Sequence, residues 1–167
     1  MMRGPALTLW TAVAVLLADR LSKWAVVEAM GLRERLAIDV APGFVSLRMA
    51  WNRGVNFGLF ADDAPALRFG LAGLAVAISA VVAIWALRRR ERLFGFGAGM
   101  LIGGALGNAW DRVAYGAVAD FLNVTCCGID NPYAFNIADV AIFAGAFALI
   151  LAPAPGEASD PAAEPRR

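Results

Sequence analysis

The chain has 167 residues, of which 60% are hydrophobic and 17% are charged, whereas soluble globular chains are about 45–50% apolar and about 25% charged. A net charge of +1 without a basic stripe excludes nucleic acid as the expected partner. The absence of histidine excludes a Ser-His-Asp triad, a Cys-His dyad and an HExxH zinc site. The only cysteines, Cys126 and Cys127, are adjacent and cannot supply the spaced ligands of a zinc site, so we expect no metal and no cofactor.

Four apolar stretches are each close to the roughly 20 residues that a helix needs to cross a bilayer. They cover about residues 6–30, 66–87, 93–113 and 133–151. The sequence therefore predicts an all-α integral membrane protein, a four-transmembrane-helix bundle formed by one membrane domain over residues 1–153. The remaining residues, 154–167, are rich in Pro, Ala and acids and are predicted to form a disordered cytoplasmic tail.

The loop between the second and third stretches predicts the orientation. Four of the five residues 88–92 are arginine, and short loops rich in Arg stay cytoplasmic. Basic residues also occur within 31–65, but long segments cross the membrane largely regardless of their charge. With an even number of helices, we expect both termini in the cytoplasm and segments 31–65 and 114–132 outside.

A period-two pattern within the first outer segment predicts a strand with one apolar face. Apolar Val45, Leu47, Met49 and Trp51 alternate with the residues Ser46, Arg48, Ala50 and Asn52. We expect a small β-sheet from about residues 34–60 lying on the outer face of the membrane. The second outer segment is interpreted as a loop.

The third stretch has Gly99, Gly103 and Gly107 at four-residue spacing. Small residues repeated in this way let two membrane helices approach closely. We interpret this glycine face as structural.

Ionisable side chains are rare inside membranes and usually functional. At about 1.5 Å per residue, Asp19, Asn108, Asp111 and Asp139 all fall in the outer third of the bilayer. Such convergence from three helices predicts a single polar site rather than scattered structural residues. A fifth polar residue, Asp120, is expected in the outer loop just above Asp139, tied to the interface by its apolar neighbours.

Spacing within each helix predicts which of these side chains share a face. Asp19 and Lys23 are four residues apart, and residues three or four apart lie on one face of a helix. The same reasoning joins Asn108, Asp111 and Arg112 on the third helix and Asn136 with Asp139 on the fourth. Each of these helices is therefore expected to present one polar stripe to the interior of the bundle.

Carboxylates are the side chains in this set that can catalyse hydrolysis. When two of them lie close together, one keeps a proton and can polarise a carbonyl, while the other activates a water molecule. Asp19, Asp111, Asp120 and Asp139 are the carboxylates expected at this depth that could supply such aspartic-protease chemistry. A Ser-Lys protease using Ser22 and Lys23 is disfavoured, because adjacent residues on a helix point about 100° apart.

Five blocks of the sequence resemble the lipoprotein signal peptidase (signal peptidase II) family, in the family's order. They are Asp19-Arg20-Leu21-Ser22-Lys23, Asn52-Arg53-Gly54-Val55-Asn56-Phe57-Gly58, Gly103-Gly104-Ala105-Leu106-Gly107-Asn108-Ala109-Trp110-Asp111-Arg112, Val118-Ala119-Asp120-Phe121 and Phe135-Asn136-Ile137-Ala138-Asp139. The resemblance departs from the family at Asn56, usually a small residue, and at Ala119, usually a β-branched one.

This resemblance implies an aspartic endopeptidase of the bacterial inner membrane that cleaves prolipoproteins just before a diacylglyceryl-modified cysteine. It implies that Asp120 and Asp139 are catalytic. The expected substrate-binding or supporting residues are Asp19, Lys23, Asn52, Gly54, Gly104, Asn108, Asp111, Arg112 and Asn136. We expect a monomer with its active site at the periplasmic face, whose partners are the lipidated prolipoprotein and membrane lipids.

Two other functions remain open at this point. Intramembrane carboxylates also mark small transporters and proton-relay proteins, but such a path needs polar groups at several depths. The second predicted helix has no acid. A structural subunit of a larger membrane complex is the other alternative, and it would need neither Asp120 nor Asp139.

Overall fold

A computed structural model describes residues 4–54, 65–125 and 131–154 of the chain. The elements, in chain order, are α1 (Gly4–Lys23), a π-helical segment (Trp24–Ala29), α2 (Leu32–Arg35), β1 (Ala37–Ala41), β2 (Val45–Asn52), α3 (Pro65–Leu87), α4 (Arg92–Tyr115), β3 (Val118–Val124) and α5 (Ile137–Leu151). The predictions for Asn56, for the two cysteines and for the tail beyond residue 154 concern residues outside the described ones.

Three of the described helical segments are long and apolar enough to cross a membrane: Gly4–Ala29, Ala66–Leu87 and Arg92–Tyr115. They agree with the first three predicted helices to within a few residues. The fourth predicted helix, 133–151, was placed too early, because α5 begins at Ile137. Asn136 caps this helix, and its side chain accepts a hydrogen bond from the backbone N–H of Asp139. With 15 residues, α5 is about 22 Å long.

The central helix is α4, which packs against α1, α3 and α5. Its glycines allow the close approach that their spacing predicted. A Cβ on Gly99 would lie 2.6 Å from the carbonyl oxygen of Thr8, and one on Gly103 would lie 2.6 Å from that of Ala12. On the opposite side of α4, Gly97 packs against Gly145 of α5 in the same way. The backbones of these helices are therefore nearly in contact.

A three-stranded antiparallel sheet in the order β1-β2-β3 lies at the end of the bundle where α4 ends. The predicted strand is present as β2. The prediction of one continuous apolar face was wrong, because the register with β3 shifts between Leu47 and Ala50. As a result Ser46 is buried, whereas Trp51 is 37% exposed.

Asp120 was predicted to lie in a loop, and this prediction was wrong, because Asp120 lies within β3. This strand pairs with β2, so that Asp120 lies opposite Ala50, and Leu122 forms a bridge with Phe135 on the other side. Phe121 on the opposite face packs into an apolar cluster with Leu47 and the other residues Val27, Leu32 and Ala119. The hydrophobic burial of this face fixes the strand and, with it, the direction in which Asp120 points.

The arginine-rich turn between α3 and α4 contains one structural arginine. Arg89 is buried, donates to a carboxylate oxygen of Glu91 at 2.8 Å and to the carbonyl of Pro153, and its guanidinium lies 4.4 Å from the ring centre of Phe94. It therefore ties the turn to the end of α5. Arg88, Arg90 and Arg92 are exposed.

The glycine contacts of α4 give a test of the helix packing. We expect Gly99→Ala to lower the melting temperature in detergent, since its Cβ would lie 2.5 Å from that of Thr11 and overpacking costs about 1–3 kcal/mol. The control is Gly73→Ala in α3, where a Cβ would meet nothing within 4 Å and helix propensity improves. Equal melting of the two variants would contradict the described α1–α4 contact.

Candidate active site

Asp120 projects from β3 into a buried polar layer, where it is 3% exposed. Its two carboxyl oxygens accept hydrogen bonds from two side-chain amides. Asn52 Nδ2, at the end of β2, lies 3.1 Å from Asp120 Oδ2, and Asn136 Nδ2 lies 2.6 Å from Oδ1. The carboxyl group is thus held from both sides by neutral donors.

Asp139 lies in the first turn of α5 and is 6% exposed. It completes a capping box with Asn136: the Asn136 backbone N–H donates to Asp139 Oδ2 at 3.2 Å, and Asn136 Oδ1 accepts from the Asp139 N–H at 2.9 Å. Asn108 Nδ2 of α4 donates to Asp139 Oδ1 at 2.8 Å. Because Asn136 also donates to Asp120, this one residue links the two carboxylates.

The surroundings of Asp120 favour its protonated form. Burial and the negative charge of Asp139 together raise the pKa of Asp120 to about 7. The amides of Asn52 and Asn136 and the charge of Lys23 act in the opposite direction. A carboxyl group with this pKa can act as an acid near neutral pH.

A cluster of four charged side chains lies beside the two carboxylates. From α1, Lys23 Nζ lies 2.9 Å from Asp19 Oδ1 and 2.6 Å from Asp111 Oδ2 of α4. Arg20 likewise contacts both acids, each at 2.6 Å. The side chains of both aspartates are fully buried, and two cations for two anions make the cluster formally neutral. The predicted pairing of Asp19 with Lys23 is therefore present.

The two aspartates of this cluster also hold the backbone beside the candidate pair. Asp111 Oδ2 accepts from the N–H of Ala119, the residue before Asp120, at 3.2 Å. Asp19 Oδ1 accepts from the N–H of Ala138, the residue before Asp139, at 3.3 Å. The charged cluster thus fixes the backbone on which each candidate carboxylate is carried.

Arg112 and two glycines complete the site. Arg112 donates to the carbonyl oxygens of Asn108 at 3.3 Å and of Gly54 at 3.1 Å, and so joins α4 to the chain that follows β2. A Cβ on Gly104 would lie 2.5 Å from the Ala138 carbonyl oxygen, and one on Gly107 would lie 2.8 Å from Asp19 Oδ2. Both positions need glycine so that α1 and the start of α5 can approach α4.

The structure brings together all eleven of the site residues that the sequence indicated. It also adds Arg20, which was not among the predicted site residues. The long Arg20 side chain reaches Asp19 and Asp111. Its adjacency to a buried acid was a usable signal. Ser22 Oγ donates to the Asp19 carbonyl oxygen at 2.9 Å, while Lys23 is held by two acids, an arrangement that does not suit a Ser-Lys protease.

An apolar groove of about 590 Å³ opens beside Asp139 and Asn52, the amide that donates to Asp120. Asn52 and Asp139 form its polar edge, and its other lining residues are Asn131, Tyr133, Ala134, Phe135, Val140, Phe143 and Ala144. Its walls come from the extended chain before α5 and from one face of that helix. Such a groove can hold an extended apolar segment with its backbone close to Asp139.

Among the described residues, no group of three or more acids or cysteines is arranged to hold a metal ion. The reactive groups that the described site presents are the two carboxylates and the amides that surround them. Two buried carboxyl groups, with the pKa of Asp120 raised to about 7, can share the transfer of protons in the hydrolysis of an amide bond.

Comparisons with known proteins point to one family. Residues 11–154 match the family model described as signal peptidase II. The lipoprotein signal peptidase of Nitrobacter hamburgensis is 43% identical over 142 residues, which cover 83% of this chain and 86% of the relative. That of a Methylobacterium species is 41% identical over 150 residues, 90% of each chain.

Solved structures show the same fold. A bacterial membrane enzyme determined by the in meso method at 2.3 Å resolution is 26% identical, with a TM-score of 0.71 over 86% of this chain and 84% of the other. A second such enzyme, determined at 1.9 Å resolution, has the same TM-score at 24% identity. The match covers 86% of this chain and 89% of that enzyme. On the strength of the family model and the relatives, this chain belongs to the signal peptidase II family.

Proposed function

We propose that Asp120 and Asp139 are the catalytic pair of a membrane aspartic endopeptidase that removes signal peptides from prolipoproteins. The observation that carries this assignment is the link through Asn136, whose amide donates to Asp120 and whose backbone N–H donates to Asp139. The other two buried aspartates are each paired with two cations. Those pairs suit a supporting role, whereas the amide-bound pair retains carboxyl groups that can exchange protons.

In the proposed mechanism Asp139 is the base and Asp120 is the acid. Asp139 takes a proton from a water molecule while the oxygen of that water attacks the scissile carbonyl carbon. Asp120 gives its proton to the carbonyl oxygen, which leaves a neutral tetrahedral diol. The proton on Asp139 then passes to the leaving nitrogen, the C–N bond breaks, and a diol proton returns to Asp120. No covalent bond to the enzyme forms.

The groove supports a substrate pose next to this pair. An extended signal-peptide segment along Phe135, Val140 and Phe143 would place its backbone beside Asn52 and Asp139. We propose that the bond cut is the one just before the diacylglyceryl-modified cysteine, with the two acyl chains in the surrounding lipid. The chains then fix the depth of the bond, and misplacement by about 1 Å can cost 10²-fold in rate.

We further propose that α1, α3, α4 and α5 all cross the bacterial inner membrane, with both termini in the cytoplasm. Three exposed arginines in the α3–α4 turn support this orientation. The sheet and the carboxylates lie at the opposite end of α4, which corresponds to the periplasmic face. α5 needs the extended residues that precede it to reach across, since it is about 22 Å long. We propose that the enzyme acts as a monomer among membrane lipids.

The transporter alternative is not favoured. The family match identifies a peptidase, and the charge network ends at the candidate catalytic pair. A proton path would need further ionisable groups along α3, which has Arg68 as its only charged residue, near one end.

The first of three predictions from the proposed function concerns the carboxyl pair. Asp120→Asn and Asp139→Asn should each reduce kcat by at least about 10²–10⁴-fold, because an amide cannot transfer the proton, while both variants remain folded in the membrane. The control is Asp39→Asn, an exposed carboxylate of β1. The measurement is a gel-shift assay on a lipidated prolipoprotein. Near-parental turnover by either dyad variant would refute the aspartic mechanism.

The second prediction concerns pH. Because the pKa of Asp120 is raised to about 7, the acid is protonated below this pH and ionised above it. We therefore expect kcat/KM to fall as the pH rises through about 7. The raised pKa also means that the free energy of unfolding falls as the pH rises from the ordinary aspartate pKa to about 7. A kcat/KM that stays flat up to pH 9 would contradict the role of Asp120.

The third prediction concerns topology. Reporter fusions within residues 88–92 and after Leu151 should report the cytoplasm, and fusions near Asp62 and Asp130 should report the periplasm. The reason is the arginine-rich turn combined with an even number of crossings. The opposite pattern would place the carboxylates at the cytoplasmic face and would be incompatible with the processing of exported lipoproteins.

A further inference from the structure

Lys23 is the member of the charged cluster whose side chain contacts Asn108, the residue whose amide donates to Asp139. Its Nζ atom touches Asp19 and Asp111 and also lies 3.4 Å from Asn108 Oδ1. The residue is 5% exposed. Arg20, the other cation of the cluster, contacts the same two acids and the carbonyl oxygen of Gly107. The two cations thus share their anionic partners but differ in what else they contact.

The contacts from Lys23 reach the two catalytic candidates through chains of different length. One residue, Asn108, separates Lys23 from Asp139, since Asn108 Nδ2 donates to Asp139 Oδ1 at 2.8 Å. Two residues, Asn108 and Asn136, separate Lys23 from Asp120. By these contacts the positive charge is closer to Asp139, and an adjacent cation favours the ionised form of a carboxyl group.

In the series of contacts from Lys23 through Asn108 to Asp139, Lys23 contributes a positive charge that no other member has. The orientation of the Asn108 amide does not depend on Lys23 alone. Lys23 can only donate, so it requires Asn108 to present its oxygen and to turn its amide donor towards Asp139. Asn136 Nδ2 already donates to the same oxygen at 3.2 Å, which fixes that orientation independently. The other cation near the pair, Arg112, donates to the backbone oxygens of Asn108 and Gly54.

We propose that Lys23 is a positioning residue that decides which catalytic carboxyl group carries the proton: its charge keeps Asp139 ionised as the base and leaves the proton on Asp120. This inference rests on the proposed function. Without the cation, Asp139 binds a proton more readily and the productive arrangement becomes rarer at acidic pH. The charged groups that face the pair are then Asp19, Arg20, Asp111 and Arg112.

Two charge-balanced double variants separate this role from a structural one. Lys23→Gln/Asp111→Asn removes one cation and one anion, keeps an amide donor at position 23, and leaves the Asp19–Arg20 pair. Arg20→Gln/Asp111→Asn also removes one cation and one anion but leaves Lys23 paired with Asp19. Both clusters stay neutral, and both variants share the change at Asp111, which supports the Ala119 N–H. They differ in the charge beside Asn108, lost in the Lys23 variant, and in the contact with the Gly107 carbonyl oxygen, lost in the Arg20 variant.

The measurement is the pH profile of kcat and KM for both variants and the parent, on a lipidated prolipoprotein in detergent. We expect the acid limb of the kcat profile to move up by about one pH unit in the Lys23 variant, with KM unchanged. In the Arg20 variant the limb should stay within about 0.3 pH units of the parent. Equal shifts in both variants, or no shift in the Lys23 variant, would overturn the proposal.

Two further measurements keep the test decisive. If Lys23→Gln/Asp111→Asn fails to fold, Lys23→Met/Asp111→Asn takes its place, since an apolar side chain of similar volume often replaces a buried ion pair without loss of stability. Lys23→Arg, which retains the charge, should keep the parental acid limb, and a shifted limb would count against the proposal. Asp139→Asn is assayed alongside: if it remains active, the proposed function fails, whereas an inactive Asp139→Asn with an unshifted Lys23 variant refutes only the role of Lys23.

Discussion

Two fully buried aspartates, Asp19 and Asp111, impose the strictest constraint on this fold. An ionised carboxylate removed from water is stable only when it is paired and hydrogen-bonded, and here both acids share the same two cations of α1. Removing one partner from such a cluster typically costs about 3–5 kcal/mol, because the other charge stays buried. The cluster therefore fixes α1 against α4.

The same carboxylates extend this constraint to the catalytic candidates. Their remaining lone pairs accept the N–H groups of Ala119 and Ala138, each one residue before a member of the pair. The side chains involved are short, so they can make these contacts only because Gly104 and Gly107 let the neighbouring segments approach α4 closely. Backbone packing, charge pairing and the geometry of the candidate active site are therefore parts of one arrangement, and a change in the glycine face should also disturb the proposed catalytic pair.

Much of this arrangement could be predicted from local sequence patterns. Periodicity and length identified α1, α3 and α4, and four-residue spacing predicted the ion pair of Asp19 with Lys23. Contacts between distant segments could not be predicted in the same way. β3 was interpreted as a loop because Asp120 and Asn123 interrupt its apolar pattern and its partner strand, β2, lies about 70 residues earlier. The start of α5 was misplaced because its apolar run begins before the Asn136 cap.

Spacing also could not decide which acids are paired with cations and which are held by amides. Four aspartates were predicted to lie near one another, and their roles followed only from the family resemblance. The three-dimensional contacts give a physical basis for the same division: Asp19 and Asp111 are neutralised by Arg20 and Lys23, while Asp120 is bound by neutral donors. The charged partners determine that difference, and they come from another helix.

One carboxyl group of the proposed site, that of Asp120, should be protonated at a pH where ordinary aspartates are ionised. Infrared spectroscopy of the purified protein in detergent tests it directly, because protonated carboxyl groups absorb separately from carboxylates. At pH 6 the spectrum should contain a protonated-carboxyl band that titrates away near pH 7 and is missing in Asp120→Asn. A band that persists in Asp120→Asn, or no such band in the parent at pH 6, would show that Asp120 is not the protonated carboxyl group.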